Sequence, residues 1–257
     1  MDPKLHSMKA SKKIRDAMAR VDELRRLTAD SPNLASALHA IKSWQSKRFA
    51  QTYQDLLESE DYAGCARFFL EELYSERNYS HRDAQFAKVA GAIELTFPEN
   101  VIAVAVSLAE LHATTERLDH AMASCWNHTN NASPSERYLD AWKSVGEPAI
   151  RHWQLQTVLH IGQTLAELTQ KRGLRLLLKM MRRPAEMAGL GDLQTFLETG
   201  FERFGRLTKT DGQATHFLTT IREREMTWLN EQFGATNAGH KAKNAQSDDW
   251  AFRALGA

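Results

Sequence analysis

The chain has 257 residues, 42% apolar and 25% charged, with a net charge of +1, which is the composition of an ordinary globular protein. A chain of this length buries roughly 70–75% of its unfolded surface and needs no disulfide or metal to fold. So small a net charge excludes any global drive onto nucleic acid or an anionic membrane.

The elements follow in chain order. The opening MDPKLHSMKASKKIRDAMARV lacks the continuous apolar core of a signal peptide. Residues 8–29 are expected to be helical, with Ile14, Met18, Val21 and Leu24 on one stripe and a basic opposite face. ADSPN stops this helix, and Ser31-Pro32 opens the next. That one runs to about Leu57 and turns Leu34, Leu38, Ile41, Trp44 or Gln45, and Arg48 or Phe49 inward. Asp61 suits an N-cap for 62–76, which carries FFLEELY. Ser80 is expected to cap the following helix, with Asp83 in its first turn, until TFPEN interrupts it.

The clearest pattern covers 99–126. Val101, Val104, Leu108, Leu111, Thr115, Leu118 and Met122 fall on alternating three- and four-residue steps. NHTNNASPSE is a loop, and Ser133-Pro134-Ser135-Glu136 opens a short helix ending at VGEP. Pro148 to about Lys171 is apolar on more than one face and is expected to lie centrally, with Gly162 marking a close helix approach. LRLLLKMMR is stopped by Pro184, and one or two helices follow. Residues 212–233 form the last long helix, with Phe217, Ile221 and Trp228 on its apolar stripe.

Glycine (13) and proline (6) are scarce, strand-like alternation is nearly absent, and helical periods recur. The expectation is therefore an all-α, multi-helix bundle of about eight or nine helices in a single domain. A basic N-terminal helix (1–30) precedes the bundle (31–234). The tail (235–257) is polar and expected to be mobile, with DDWAFRALGA a candidate docking helix. No segment offers about eighteen uncharged apolar residues, so no transmembrane helix is expected. Cys65 and Cys125 stand alone in helical, partly apolar contexts and read as buried thiols in a reducing cytoplasm.

Candidate chemistry lies in four places. In ELHATTERLDH, His112 and Asp119 border the apolar stripe, while Glu116 and His120 face outward at about 100° per residue. The Glu-x-x-His pair of di-iron bundles is missing, and no metal site is assigned. His152 and His160 lie on the long segment after Pro148, where a histidine in a bundle can ligate iron or haem or act as a base. KRGLRLLLKMMRR sets Lys171, Arg172, Arg175, Lys179, Arg182 and Arg183 opposite Leu176, Leu177, Met180 and Met181, a face for an anion or acidic partner. The near-neutral net charge and lack of a reading motif argue against nucleic acid. Arg222, Glu223, Arg224 and Glu225 alternate in sign and read as an exposed, ion-paired face. No GxxxxGK[ST], GxGxxG, HExxH, GxSxG or EF-hand pattern occurs, which leaves catalysis open and no cofactor named.

RFFLEELYSERNYSHRD reads as an amphipathic helix and a corner. Arg82 is the odd residue, because a cation opposes the positive end of the helix dipole; pairing with Glu72 or Glu76 would explain it. Tyr74 adjoins the apolar face with a hydroxyl to place. FFLEELYSERNYSHRD, ELHATTERLD and FLETGFERF…FLTTIREREMTWL together resemble a group of bacterial proteins of unassigned function whose signature is FFL-x-x-LY followed by an RD pair. That resemblance implies a bacterial all-α domain and imports no activity. Ser75 stands where the signature has Gly. The reading is a binding or interaction protein, with an inter-helix groove for an apolar ligand or a partner helix. The alternatives are an iron or haem enzyme and an anion or nucleic-acid binder through the 171–183 face. Candidate ligand-binding residues are Tyr74, Arg82, His112, Asp119, His152 and His160; candidate anion-binding residues are Arg172, Arg175, Lys179, Arg182 and Arg183. The partner is unnamed, no membrane is involved, and a homodimer is admitted.

Overall fold

The computed structural model describes residues 3–73, 77–126 and 132–234. Among them are eleven helices and no strand: α1 Pro3–Ala29, α2 Pro32–Thr52, α3 Gln54–Glu58, α4 Ala63–Leu73, α5 Ser80–Thr96, α6 Glu99–Ser124, α7 Pro134–Val145, α8 Pro148–Thr169, α9 Arg172–Met187, α10 Gly191–Leu207 and α11 Gln213–Gly234. The all-α expectation is met, but eleven helices replace eight or nine. One extra helix arises at Tyr53, where φ −118° and ψ 25° break the expected second helix into α2 and α3. The end of α9 also differs from the expectation, since Pro184 lies inside this helix. Gly189 ends it, at φ 70°. There the Leu190 N–H donates to the Ala185 carbonyl at 2.8 Å, and Gly189 N–H to Glu186 at 3.0 Å, a Schellman closure.

Local chemistry sets the other ends. Ser133 caps α7 with a reciprocal bond from Glu136, as its sequence implies. Ser80 is not a cap: it is the first residue of α5, and its N–H donates to Asn78 Oδ1 at 2.9 Å. The polar tail and DDWAFRALGA lie outside the described residues. No described helix is long and apolar enough to cross a membrane. Cys65 is buried as expected, but Cys125 is exposed, because it follows the last turn of α6.

The chain divides into two compact units, each built from three separate stretches. The first comprises Met1–Arg26, Arg77–Glu116 and Thr157–Leu218. Its core joins Ile14, Ala17, Met18 and Val21 of α1 to Phe86 and Ala90 of α5, Ala109 and Ala113 of α6, and Leu193 of α10. The stripe expected on the first helix is thus a core surface. Gly162 does mark a close approach: a Cβ there would lie 2.6 Å from Leu218 Cδ2. The buried Leu193 N–H donates to Gln85 Oε1 at 2.9 Å, tying the start of α10 to α5.

The second unit comprises Leu27–Glu76, Arg117–Gln156 and Thr219–Ala257. In it α2 packs on α3, α4 and α7. Trp142 of α7 meets Trp228 edge-on at 5.9 Å and stacks on Phe233 at 6.4 Å between centroids. The α7–α8 corner uses Gly146 and Glu147, both at positive φ. Glu147 is held by two bonds from Arg117, at 2.8 and 2.7 Å. The segment beginning at Pro148, expected to be apolar on more than one face and central among the others, has one buried face, with Arg151, Leu155, Ile161 and Leu168 in and Trp153 39% exposed.

Candidate functional site

In the first unit the chemistry converges on Asp83. Its position in the first turn of α5 favours a carboxylate, and the residue is buried. His112 of α6 approaches its Oδ2 with Nε2 at 2.8 Å, and Arg25 of α1 donates to the same oxygen at 2.5 Å. Burial works to raise the Asp83 carboxyl, but the bonds and charges of His112 and Arg25 outweigh it and hold the group below its ordinary value. The adjacent Arg82 lays its guanidinium over the Tyr79 ring at 3.9 Å and the Phe196 ring at 4.7 Å. Aromatic faces thus accompany Arg82 at a position where the helix dipole disfavours a cation. His112 Nδ1 makes no hydrogen bond among the described residues, and no nucleophile joins the Asp–His pair. The arrangement is a brace across α1, α5 and α6.

The other candidates do not gather there. Asp119 is in the second unit, buried, and accepts from Gln45 Nε2 at 2.7 Å. His152 Nδ1 lies 2.7 Å from the Pro148 carbonyl, a local bond within its own helix, and His160 is exposed. Tyr74 lies outside the described residues. Among the described residues no three His, Cys, Asp or Glu side chains cluster as a metal site requires.

The second unit holds buried charges of its own. Arg48, 3% exposed, donates to both oxygens of Glu225, at 3.0 and 2.9 Å. Tyr53 O–H adds a bond to Glu225 Oε1 at 2.8 Å. Glu225 was expected on an exposed face; its side chain is instead mostly covered, 12% exposed. The next residue back, Arg224, does reach outward and pairs with Asp55 at 2.6 and 2.7 Å. Near this pair, Tyr138 is fully buried and Arg151 is 4% exposed.

On the surface, α9 stands apart. Eight large apolar side chains are exposed among the described residues, and four of them, Leu176, Met180, Met181 and Met187, are on this one helix. At about 100° per residue, Leu176, Met180 and Met187 share a narrow strip. Arg175, Lys179, Arg182 and Arg183 form the arc beside it, and Leu174, Leu178 and Ala185 face inward. Arg182 is held by Glu198; Arg175, Lys179 and Arg183 are exposed. The side chain of Arg172 is outside the description.

Residues 24–238 match the family described as Domain of unknown function (DUF8198). The chain belongs to that family. No curated protein and no solved structure matches it. The match takes in Asp83, His112, the Arg48–Glu225 pair and all of α9, but begins within α1, after Ile14, Met18 and Val21.

Proposed function

We propose that this protein is a binding protein whose α9 receives an acidic amphipathic helix of a protein partner. The observation that carries this reading is the concentration of exposed apolar side chains on α9, with Leu176 60%, Met180 66% and Met187 89% exposed beside a basic arc. A soluble surface rarely spends several large apolar groups on one helix without a partner. Methionine adapts to varied apolar partners, and helix-in-groove recognition reads anchors at i, i+3, i+4 and i+7. The basic arc selects carboxylates flanking those anchors. A lipid surface fits less well, because α9 carries no aromatic residue and interfacial helices lean on Trp and Phe. The helix-binding reading keeps the groove expected from sequence but moves it to a surface strip.

The bacterial origin and the FFL-x-x-LY…RD signature belong to this proposal on the strength of the resemblance. Cytoplasmic placement rests on the exposed thiol of Cys125, which suits a reducing compartment.

The test is a selection from a displayed library of helical peptides against the full chain and against a Leu176→Glu/Met180→Glu variant. The expected result is a set of peptides with Asp or Glu beside apolar residues at three- and four-residue spacing. The variant should bind them about 10–100-fold more weakly, the loss of one or two interface anchors. Recovery of no peptide, or equal binding by the variant, overturns the reading. Binding to phosphatidylglycerol vesicles or to duplex DNA instead of peptide also overturns it.

A further inference from the structure

Tyr138 of α7 is completely buried, and its hydroxyl bonds to nothing among the described residues. The indole Nε1–H of Trp142, one turn later, is likewise buried without an acceptor. The Arg151 guanidinium lies 3.4 Å from the centroid of that indole. It donates from Nε to the Gly146 carbonyl at 3.0 Å, and Nη2 reaches Met122 Sδ at 3.7 Å. Among the described residues, no carboxylate pairs with it.

The neighbouring buried charges are engaged elsewhere. Arg48 and Glu225 hold one another in a two-bond pair, and Asp119 accepts from Gln45. Arg151 and Tyr138 each sense the other's field. The unmet buried atoms are therefore the Tyr138 hydroxyl and the Trp142 indole N–H, both able to donate, beside a guanidinium that no carboxylate pairs. Buried donors and a buried charge are costly unless an acceptor meets them. A hydrocarbon ligand would leave them unmet, and a cation would be repelled. A carboxylate matches the planar fork of Arg and can take further bonds on its other lone pairs.

We propose that the second unit holds a small carboxylate on Arg151, Tyr138 and Trp142. Burial pushes the Tyr138 hydroxyl up to about 12 and the Arg151 guanidinium down to about 10, so both are still protonated donors at neutral pH. The inference is independent of the α9 surface, which lies in the first unit.

The experiment titrates the full chain with formate, acetate and inorganic phosphate, and with acetamide as the uncharged isostere. Each is balanced against sodium chloride of equal ionic strength. Tryptophan fluorescence and the melting temperature are read together, because Trp142 reports the site directly. Acetate or formate should give a saturable fluorescence change with a dissociation constant of about 1 mM or tighter, and should raise the melting temperature. Acetamide should do neither. Tyr138→Phe keeps the ring and removes only the unpartnered hydroxyl, so it folds and melts no lower than the parent in chloride. It should bind acetate about tenfold more weakly. Arg151→Gln should abolish the response. The proposal is overturned if no carboxylate acts beyond chloride, if acetamide equals acetate, or if Tyr138→Phe binds as well as the parent. A response to phosphate alone also overturns it, in favour of a tetrahedral anion.

Discussion

Asp83 shows how one buried carboxylate can organise a helical unit. Its charge is met by Arg25 from α1 and His112 from α6, so removing it strands a guanidinium that is three-quarters covered. Asp83→Asn should cost about 3 kcal/mol in urea denaturation, as for the loss of one member of a buried pair. The pH dependence has a definite sign. The folded carboxyl lies below its unfolded value of about 3.9, so its contribution is complete above that pH and is lost as pH falls through the folded value. Stability of the parent should fall steeply below about pH 4, and the Asn variant should fall less. Glu225→Gln, which strands Arg48, should also cost about 3 kcal/mol. An unchanged midpoint in either variant would show that the ion pair altered in that variant carries no stability.

Part of this residue-scale chemistry was legible. Arg82, His112 and Asp119 were singled out from sequence, and all three are at least partly buried in polar or aromatic settings. Glu225 was missed although a signal was present. It stands four residues after Ile221 and three before Trp228, which places it on the apolar stripe rather than on the exposed side. Arg48 is likewise seven residues after Ile41. Two opposite charges, each on the apolar stripe of its own helix, are a pairing signal that alternation of sign along one helix hides. Tyr138 and Arg151 gave no such signal, because an orphan hydroxyl is defined only by what the fold brings near it.

At the scale of the element, α9 combines three faces: an inward apolar row, an exposed apolar strip and a basic arc. The sequence displayed the basic residues and the Leu–Met run but assigned them to opposite sides, since a two-sided reading leaves no room for an exposed apolar row. Leu176→Glu/Met180→Glu removes only exposed groups, so its stability should stay within about 0.5 kcal/mol of the parent. A larger loss in thermal or urea unfolding would mean that these side chains serve packing and not recognition. Helix ends were legible where side chains make them, as at Ser133 and Glu136. They were not where backbone conformation makes them, as at Tyr53 and Gly189.

At the scale of the molecule, each compact unit is drawn from three stretches, so neither can be excised by a single cut. This follows from long helices whose contacts are distant in sequence, which periodicity cannot reveal. It also makes α1 integral. A chain trimmed to the family match, 24–238, loses Ile14, Ala17, Met18 and Val21, all at most 5% exposed. Burying each of the three larger side chains contributes about 1.5–3 kcal/mol, a sum comparable with the 5–15 kcal/mol of a whole domain. Circular dichroism and urea titration of the trimmed chain should show loss of cooperative unfolding, whereas a fully native trimmed chain would remove α1 from the core.

Fluorescence anisotropy of the tightest library-selected peptide tests most directly whether α9 is a recognition surface. Titrated with the parent and with Leu176→Glu/Met180→Glu at low and high salt, that peptide should bind the parent 10–100-fold more tightly. Its affinity for the parent should fall as salt screens the basic arc. Equal affinity for both proteins, unaffected by salt, would contradict the account.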